Sequence, residues 1–449
     1  MDIYLKAINC VAGELKSCGN IIYDKKVSLM IRMRPFNIMS YSELRNKYLQ
    51  QLVEAGAVAF NKEDVLNTTD RSQQNKTAKT WKLLNESEYM YKGLKNFLFP
   101  NGKDKISRKN LQWLLAGPED APASLGGYGY YDSLRQYFEE VIKKLGIPDK
   151  GSETKICKKI FKYNCLKYEK KCQTESTAYW LQRQLEVRVC PYCNRMYTTT
   201  LLGENKIRPD FDHFYPKSKY PYLAVNLFNL IPSCSICNKR KSDKAEVIHK
   251  KEKNENKSII YPYDESFDEP QRRISFRVIP SKKEVMTGQS DEFTIELQPK
   301  KYSDKLEFNN TGGVLAKTDM KTRFEHKIKS SLTGKDEDVA KRESQFWNRA
   351  EASINLLLIE NIYNCHKSEI MTLLRNHYQY NQDSIKLIMK TSLKMKHPDT
   401  ADQEIKQLTR DILYFAFLQH EEWGKSPLNK LKSDILDQLD ELENTRIDS

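Results

Sequence analysis

The chain has 449 residues, more than one ordinary hydrophobic core accommodates, so we expect two or three domains. Hydrophobic residues make up 39% of the sequence and charged residues 30%, and no run of about 20 apolar residues is present, which excludes a predicted membrane span. The net charge of +14 favours phosphate-bearing partners, although many proteins carry such a charge only for solubility.

Residues 1–180 predict a mostly helical N-terminal region. The segments with helical spacing of apolar residues are 42–57, 81–98, 130–145 and 177–186. The polar segment 67–79 and the segment 116–129, rich in Gly, Pro and Ala, predict loops between them. The glycines of 126–129 are not followed by Lys-Ser or Lys-Thr, so they do not form a Walker A loop, and any ATP dependence is expected to come from a partner.

Residues 181–262 predict a small module, and residues 263–449 a C-terminal region. In the module we expect a strand over 208–214, a second strand over 229–233 and a short helix that opens the segment 234–244. In the C-terminal region, alternation predicts strands over 274–278 and 293–297, followed by helices, with Pro427 preceding a last helix over 431–442. The predicted fold class is therefore α+β and mainly helical.

Four of the ten cysteines form two C-x-x-C pairs, Cys190 with Cys193 and Cys234 with Cys237. The first residues lack a basic segment followed by an apolar one, so we expect a cytoplasmic protein, where paired cysteines more often hold a metal than a disulfide. Two such knuckles supply four thiolates to one tetrahedral structural zinc. The alternatives are a zinc ribbon that only binds, and four unconnected cysteines, against which the equal spacing of the pairs argues.

The insert between the two pairs carries polar residues suited to metal-assisted hydrolysis. Asp212 and His213 close the first predicted strand, Asn229 opens the second, and Asn238 lies on the helix. The pattern is C-x-x-C, Asp-His-x-x-Pro, an Asn sixteen residues after the His, and C-x-x-C-Asn-x-x-Lys. In this pattern the segment 190–244, about an eighth of the chain, resembles an HNH endonuclease of the zinc-stapled subtype, with a ββα-metal core.

The resemblance implies hydrolysis of phosphodiester bonds in nucleic acid, with DNA favoured. His213 would be the general base that takes a proton from the attacking water. Asp212 and Asn238 would hold one Mg²⁺ or Mn²⁺, and Asn229 would orient the His213 ring or its loop. The alternatives are a structural histidine, a salt bridge at Asp212 and a turn cap at Asn229, and Asp210 is a second candidate for the metal.

Basic residues surround the predicted site in the sequence. Such side chains hold phosphates and set register without reading bases, although a solvated basic face is the alternative. The residues that we predict to contact phosphates are Lys217, Lys219, Lys239, Arg240, Lys241 and Lys244.

The segments 212–221 and 229–234 extend the resemblance to the nuclease subunits of bacterial anti-phage systems of the Septu type and the retron-associated type. That resemblance implies a separate ATPase subunit as partner. Two other functions stay open: a zinc-bearing nucleic-acid-binding module without catalysis, and an RNase that acts on tRNA or another structured RNA. The sequence leaves the oligomeric state, the activating trigger and the cleavage specificity undetermined.

Overall fold

The structure is a computed structural model. It describes residues 41–60, 62–66, 92–100, 106–117, 129–148, 151–167, 175–202, 206–244, 258–263, 265–267, 273–299, 324–325, 328–329, 337–379, 391 and 426–447.

Helices account for most of the described secondary structure, as the sequence predicts. They are α1 (Tyr41–Glu54), α2 (Lys62–Val65), α3 (Lys92–Leu98), α4 (Arg108–Ala116), α5 (Gly129–Leu145), α6 (Ser152–Ile160), α7 (Thr177–Leu185), α8 (Ser235–Lys241), α9 (Glu337–Leu357), α10 (Ile359–Tyr363), α11 (Lys367–Gln379) and α12 (Asn429–Ile447). The strands are β1 (Asp210–His213), β2 (Leu230–Ser233), β3 (Ile274–Pro280) and β4 (Phe293–Pro299), in two antiparallel pairs. In the described part of the chain, no helix is long and apolar enough to cross a membrane.

The helices of the N-terminal region follow the sequence pattern with small shifts at their ends. Helices α5 and α7 confirm the predictions over 130–145 and 177–186 within a residue or so. Helix α1 ends before the predicted residue 57 because Gly56 adopts a left-handed φ of 62°, and the Ala57 N–H then bonds the Leu52 carbonyl at 2.9 Å in a C-capping turn. Of the helix predicted over 81–98, only the part that forms α3 lies among the described residues. The loop predicted over 67–79 lies outside them, as does the loop predicted over 116–129 except for residues 116, 117 and 129.

The N-terminal helices pack directly on the loop that joins β1 to β2. Tyr48 of α1 donates its hydroxyl hydrogen to the Val225 carbonyl at 2.8 Å. The Asn226 amide donates to the Leu114 carbonyl and to the Tyr137 hydroxyl, both at 2.7 Å. These bonds are buried, so the N-terminal region fixes the loop of the predicted site from one side.

Strands β1 and β2 and helix α8 form the predicted strand, strand and helix, with shorter strands than expected. Asp212 pairs with Ile231 and His213 with Leu230. The predicted second strand begins one residue late because Asn229 ends a 3₁₀ turn capped by Asn226. Helix α8 follows immediately, with Cys234 as its N-cap residue.

The predicted strands of the C-terminal region are confirmed, and helices satisfy both edges of their sheet. On the β3 edge, Asp434 accepts the Phe276 N–H and Gln438 bonds both backbone groups of Val278, each at 2.9 Å. A four-residue step on α12 spans about 6 Å, close to the roughly 6.8 Å between alternate strand residues. The β4 edge is bonded in the same way from α10 and the following turn, at Leu297 and Ile295, so neither edge is left for pairing with another chain.

One continuous cluster of buried apolar side chains runs through all three sequence regions, from Leu44 to Leu439. The boundaries predicted near residues 180 and 262 are therefore not gaps in the packing. The division of the chain into three domains stays a prediction.

Candidate functional site

The four paired cysteines converge at one buried point. Their sulfur atoms all lie within 4.8 Å of one another, and Cys193 Sγ is 3.9 Å from Cys234 Sγ. Tetrahedral zinc with bonds of about 2.3 Å places its sulfur ligands about 3.8 Å apart, so the donor set and its spacing fit one zinc ion. Burial raises the pKa of the Cys190 thiol, so a thiolate there needs a cation beside it.

The C-terminal helices cover this cysteine cluster. The Tyr363 hydroxyl donates to the Cys193 carbonyl at 2.5 Å, and the Leu428 N–H donates to the Asn194 carbonyl at 2.9 Å. Asn194 has a left-handed φ of 49°, which closes the first knuckle as a tight turn. The cluster therefore joins the small module to the C-terminal region.

A cleft of about 370 Å³ lies beside β1, the middle of α8 and the residues that follow α8. It brings together predicted site residues from three segments: Asp212 and His213 from β1, Lys217 from the following loop, and Asn238 from α8. The lining also includes Tyr163, Lys167 and Arg208, which the sequence pattern does not indicate as site residues. Tyr163 and Lys167 come from the N-terminal region, so the cleft is not formed by the small module alone.

His213 is buried at the floor of the cleft and carries a defined tautomer. Its Nε2 lies 3.0 Å from the Ala224 carbonyl oxygen. Since a carbonyl only accepts hydrogen bonds, Nε2 carries the hydrogen and the lone pair is on Nδ1. Burial, and then the charge of Lys217, lower the pKa of His213 to about 3. The imidazole is therefore neutral near pH 7 with its lone pair on Nδ1, and it is a weaker base than an ordinary imidazole.

Asn229 fastens the loop that follows His213. Its buried side chain accepts the Tyr215 N–H at 2.7 Å and donates to the carbonyls of Tyr215 at 3.0 Å and Leu223 at 2.9 Å. Ala224, which accepts the hydrogen bond of His213, directly follows Leu223. The predicted role of Asn229 is to orient either the His213 ring or its loop, and these contacts are with the loop.

Asp212 lies in a buried network rather than in open solvent. Its Oδ2 accepts the Tyr192 hydroxyl hydrogen at 2.6 Å, and Lys241 Nζ lies 3.2 Å from Oδ1 and 3.1 Å from Oδ2. Lys241 also donates to the His213 carbonyl at 2.8 Å. The salt bridge that the sequence left as an alternative for Asp212 is thus present, but a carboxylate offers about four acceptor sites, and Asp212 still lines the cleft.

The phosphate contact predicted for Lys241 is wrong. Its side chain is fully buried, and its ammonium hydrogens are directed at Asp212 and the His213 carbonyl. Burial lowers the pKa of Lys241 and the charge of Asp212 opposes that shift. Lys241 therefore holds α8 against β1 and has no surface to offer a nucleic acid.

The other predicted phosphate contacts differ in their availability. Arg240 is half-buried and donates to the Leu356 carbonyl at 2.9 Å, which ties α8 to α9. Lys219 is exposed and donates to the Asp243 carbonyl at 2.8 Å. Lys217, Lys239 and Lys244 are exposed.

Hard oxygen donors meet at the rim of the cleft. The Asn238 side chain donates to Asp210 Oδ2 at 3.2 Å, and both residues line the cleft together with Asp212. Carboxylate and amide oxygens suit Mg²⁺ or Mn²⁺ better than softer metals. The residues present therefore fit such an ion, with Asp212 and Asn238 as predicted ligands and Asp210 beside them.

Comparisons with known proteins give one partial likeness. No protein-family model matches the chain, and no solved structure matches it. A segment of 52 residues is 42% identical to the Septu protein PtuB of Bacillus thuringiensis. The match covers 12% of this chain and 18% of that protein, so the likeness concerns a segment and not the whole length of either protein.

Proposed function

We propose that the protein is a metal-dependent HNH endonuclease that hydrolyses phosphodiester bonds of nucleic acid, with DNA favoured, in a bacterial anti-phage defence system. The observation that carries the proposal is a neutral, oriented His213 in a cleft that also contains the oxygen donors of Asp212 and Asn238. The identity shared with the Septu protein PtuB supports the defence role.

In this proposal His213 is the general base. Its Nδ1 takes one proton from a water molecule, whose oxygen forms a bond to phosphorus while the bond from phosphorus to the 3′ oxygen breaks. The Nε2 hydrogen bond to Ala224 holds the ring in the tautomer that this step needs. A divalent cation on Asp212 and Asn238 would stabilise the negative charge of the leaving oxygen.

The cysteine cluster has a structural role in the proposal. Zinc on the two knuckles would fix Cys234 and Cys237, which begin α8, against the turn that contains Cys193. Because α8 carries Asn238 and Lys241, this metal sets the position of the cleft rim without taking part in the reaction. The binding free energy of such a metal is folding free energy of the module.

The proposal includes a separate ATPase subunit that restrains or licenses cutting. Beyond the residues that line the cleft, the N- and C-terminal regions are long enough to carry a standard interface of roughly 800 Å² per partner. Co-expression with neighbouring genes should yield a complex that purifies together. A protein that purifies alone from its native operon and cuts fully would refute this subunit while leaving the nuclease proposal intact.

The central test incubates purified protein, alone and with its co-purifying subunit, with plasmid DNA and with total RNA, in Mg²⁺, Mn²⁺ or EDTA; the protein alone should be weakly active or silent. We expect cleavage of DNA that EDTA abolishes and that His213→Ala reduces by about 10²–10⁴-fold. His366→Ala is the matched control, because His366 lies in the C-terminal region, outside the cleft lining, in a contact with Glu369. Cutting by His213→Ala at the parental rate would show that the base assignment is wrong, and cutting of RNA alone would select the RNase alternative.

A further inference from the structure

A tyrosine and two lysines form a group against the proposed general base. Tyr163 packs its ring edge-on to the His213 ring, with centroids 4.4 Å apart and planes at 72°. Lys217 Nζ lies 4.6 Å and Lys167 Nζ 5.3 Å from the centre of the same tyrosine ring. Tyr163 and Lys167 begin and end one 3₁₀ helix of the N-terminal region, whereas Lys217 follows β1.

The two lysines both lie against the Tyr163 ring, and among the described residues neither forms an ion pair. Both Lys167 and Lys217 line the cleft. The pKa of Lys217 is lowered by partial burial and then by the charges of Lys167 and Lys158. Like charges held this close repel each other, and an anion between them would remove that repulsion.

The hydroxyl of Tyr163 adds a neutral donor to the group. The residue is only 8% exposed, it lines the cleft, and its hydroxyl forms no hydrogen bond with another described residue. Burial raises the pKa of Tyr163 to about 12, so the hydroxyl keeps its hydrogen at physiological pH. Two ammonium groups and one hydroxyl donor at a cleft match the oxygens of a phosphate group.

We propose that Lys167, Lys217 and the Tyr163 hydroxyl form a phosphate site that holds a backbone phosphate of the nucleic acid next to His213. The inference rests on the proposed nuclease function and adds a substrate-binding role for the N-terminal region. The contact of Tyr163 with His213 couples the two parts, because the phosphate held by the lysines is then adjacent to the base that activates water. The small module would bind substrate incompletely without residues 163–167.

The test measures binding separately from cutting. Protein without added Mg²⁺ or Mn²⁺, so that the DNA is not cut, is titrated into a fluorescein-labelled DNA duplex, and the association constant is followed by anisotropy as salt is raised. Each lost phosphate contact should make the slope of log K against log salt shallower by about 0.9 on a duplex. Lys167→Gln with Lys217→Gln removes both lysines from one phosphate, so it should change the slope by about 0.9. Lys283→Gln with Lys341→Gln is the charge-matched control, because these two exposed lysines do not line the cleft.

Two further variants separate charge from packing. Lys167→Arg with Lys217→Arg should keep the parental slope, since the positive charges remain. Tyr163→Phe keeps the ring against His213 and removes one donor, so binding should weaken by about 2- to 10-fold with unchanged melting temperature. Equal slopes for Lys167→Gln with Lys217→Gln and for Lys283→Gln with Lys341→Gln would overturn the site, even where the parent protein cuts DNA.

An experiment with inorganic phosphate shows whether the site binds free phosphate or the phosphates of a nucleic-acid backbone. We expect phosphate to raise the melting temperature of the parent more than that of Lys167→Gln with Lys217→Gln. With duplex DNA already bound, added phosphate should no longer raise the melting temperature of the parent, because both ligands compete for the same site. A phosphate-dependent shift without any change in the duplex salt slope would refute the substrate assignment. Absence of nucleic-acid cleavage by the parent protein, both alone and with its co-purifying subunit, would refute the nuclease proposal instead.

Discussion

Replacement of Lys241 by methionine tests the buried network beneath the cleft. Methionine keeps much of the apolar stem and removes the ammonium group that lies 3.1 Å from Asp212 Oδ2. At an effective dielectric constant of about 20, this attraction is worth about 5 kcal/mol, most of which offsets the desolvation of the two charges. The variant loses the attraction but leaves Asp212 buried, so we expect a loss of about 3–5 kcal/mol of unfolding free energy.

Two companion variants make the magnitude interpretable. Lys239→Met, on the exposed face of the same helix, should change the unfolding free energy by less than about 0.5 kcal/mol. Lys241→Met combined with Asp212→Asn should recover part of the loss, because the uncompensated carboxylate is gone. The cost of the single change therefore exceeds the net contribution of the pair.

The assay is urea unfolding of zinc-loaded protein followed by far-UV circular dichroism, with zinc content measured for each variant. A loss for Lys241→Met as small as that of Lys239→Met would refute the burial of this pair. Duplex binding gives a second check, because Lys241→Met should leave the salt slope unchanged. A slope shallower by about 0.9 would restore Lys241 to the phosphate contacts.

Three further expectations concern the metals and the base. Purified protein should contain about one zinc per chain, and Cys234→Ser should lose the zinc and unfold the module; folded, active protein without zinc by elemental analysis would contradict this. Asn238→Ala should raise the Mg²⁺ concentration required for cutting while zinc content stays parental, and an unchanged Mg²⁺ titration would exclude Asn238 as a ligand. The His213 imidazole should stay neutral from pH 7 to pH 5 in NMR titrations, because its pKa is lowered to about 3. Since this pKa lies below the unfolded value of about 6.5, the contribution of His213 to stability is complete above pH 6.5 and is lost as pH falls towards 3; a midpoint near 6.5 in folded protein would show that His213 is exposed.

The burial of Lys241, which excludes the phosphate contact predicted for it, could have been predicted from the sequence. Lys241 lies four residues after Cys237, and residues four apart share one face of a helix. A zinc ligand on that face implies burial of the face, so the basic run 239–241 contains one interior lysine. Composition does not distinguish Lys241 from the exposed Lys239 of the same run, whereas position on the helix does.

The sequence by itself determined the cysteine cluster, the strand, strand and helix order, and the positions of helices α1, α5, α7 and α12. These features depend on short spacings: two residues between paired cysteines, alternation along β3 and β4, and helical periodicity in α5 and α7. Each is written into neighbouring residues, because local backbone geometry decides which side chains share a face.

Only the tertiary structure decided what completes the cleft. Lys167 lies 46 residues before His213 in the sequence, and the two are brought near each other by Tyr163, which contacts the histidine ring. Similarly, Tyr363 reaches the Cys193 carbonyl across 170 residues. No periodicity links such positions, because their proximity follows from how buried faces of distant helices pack together, and many pairings are compatible with the same local pattern.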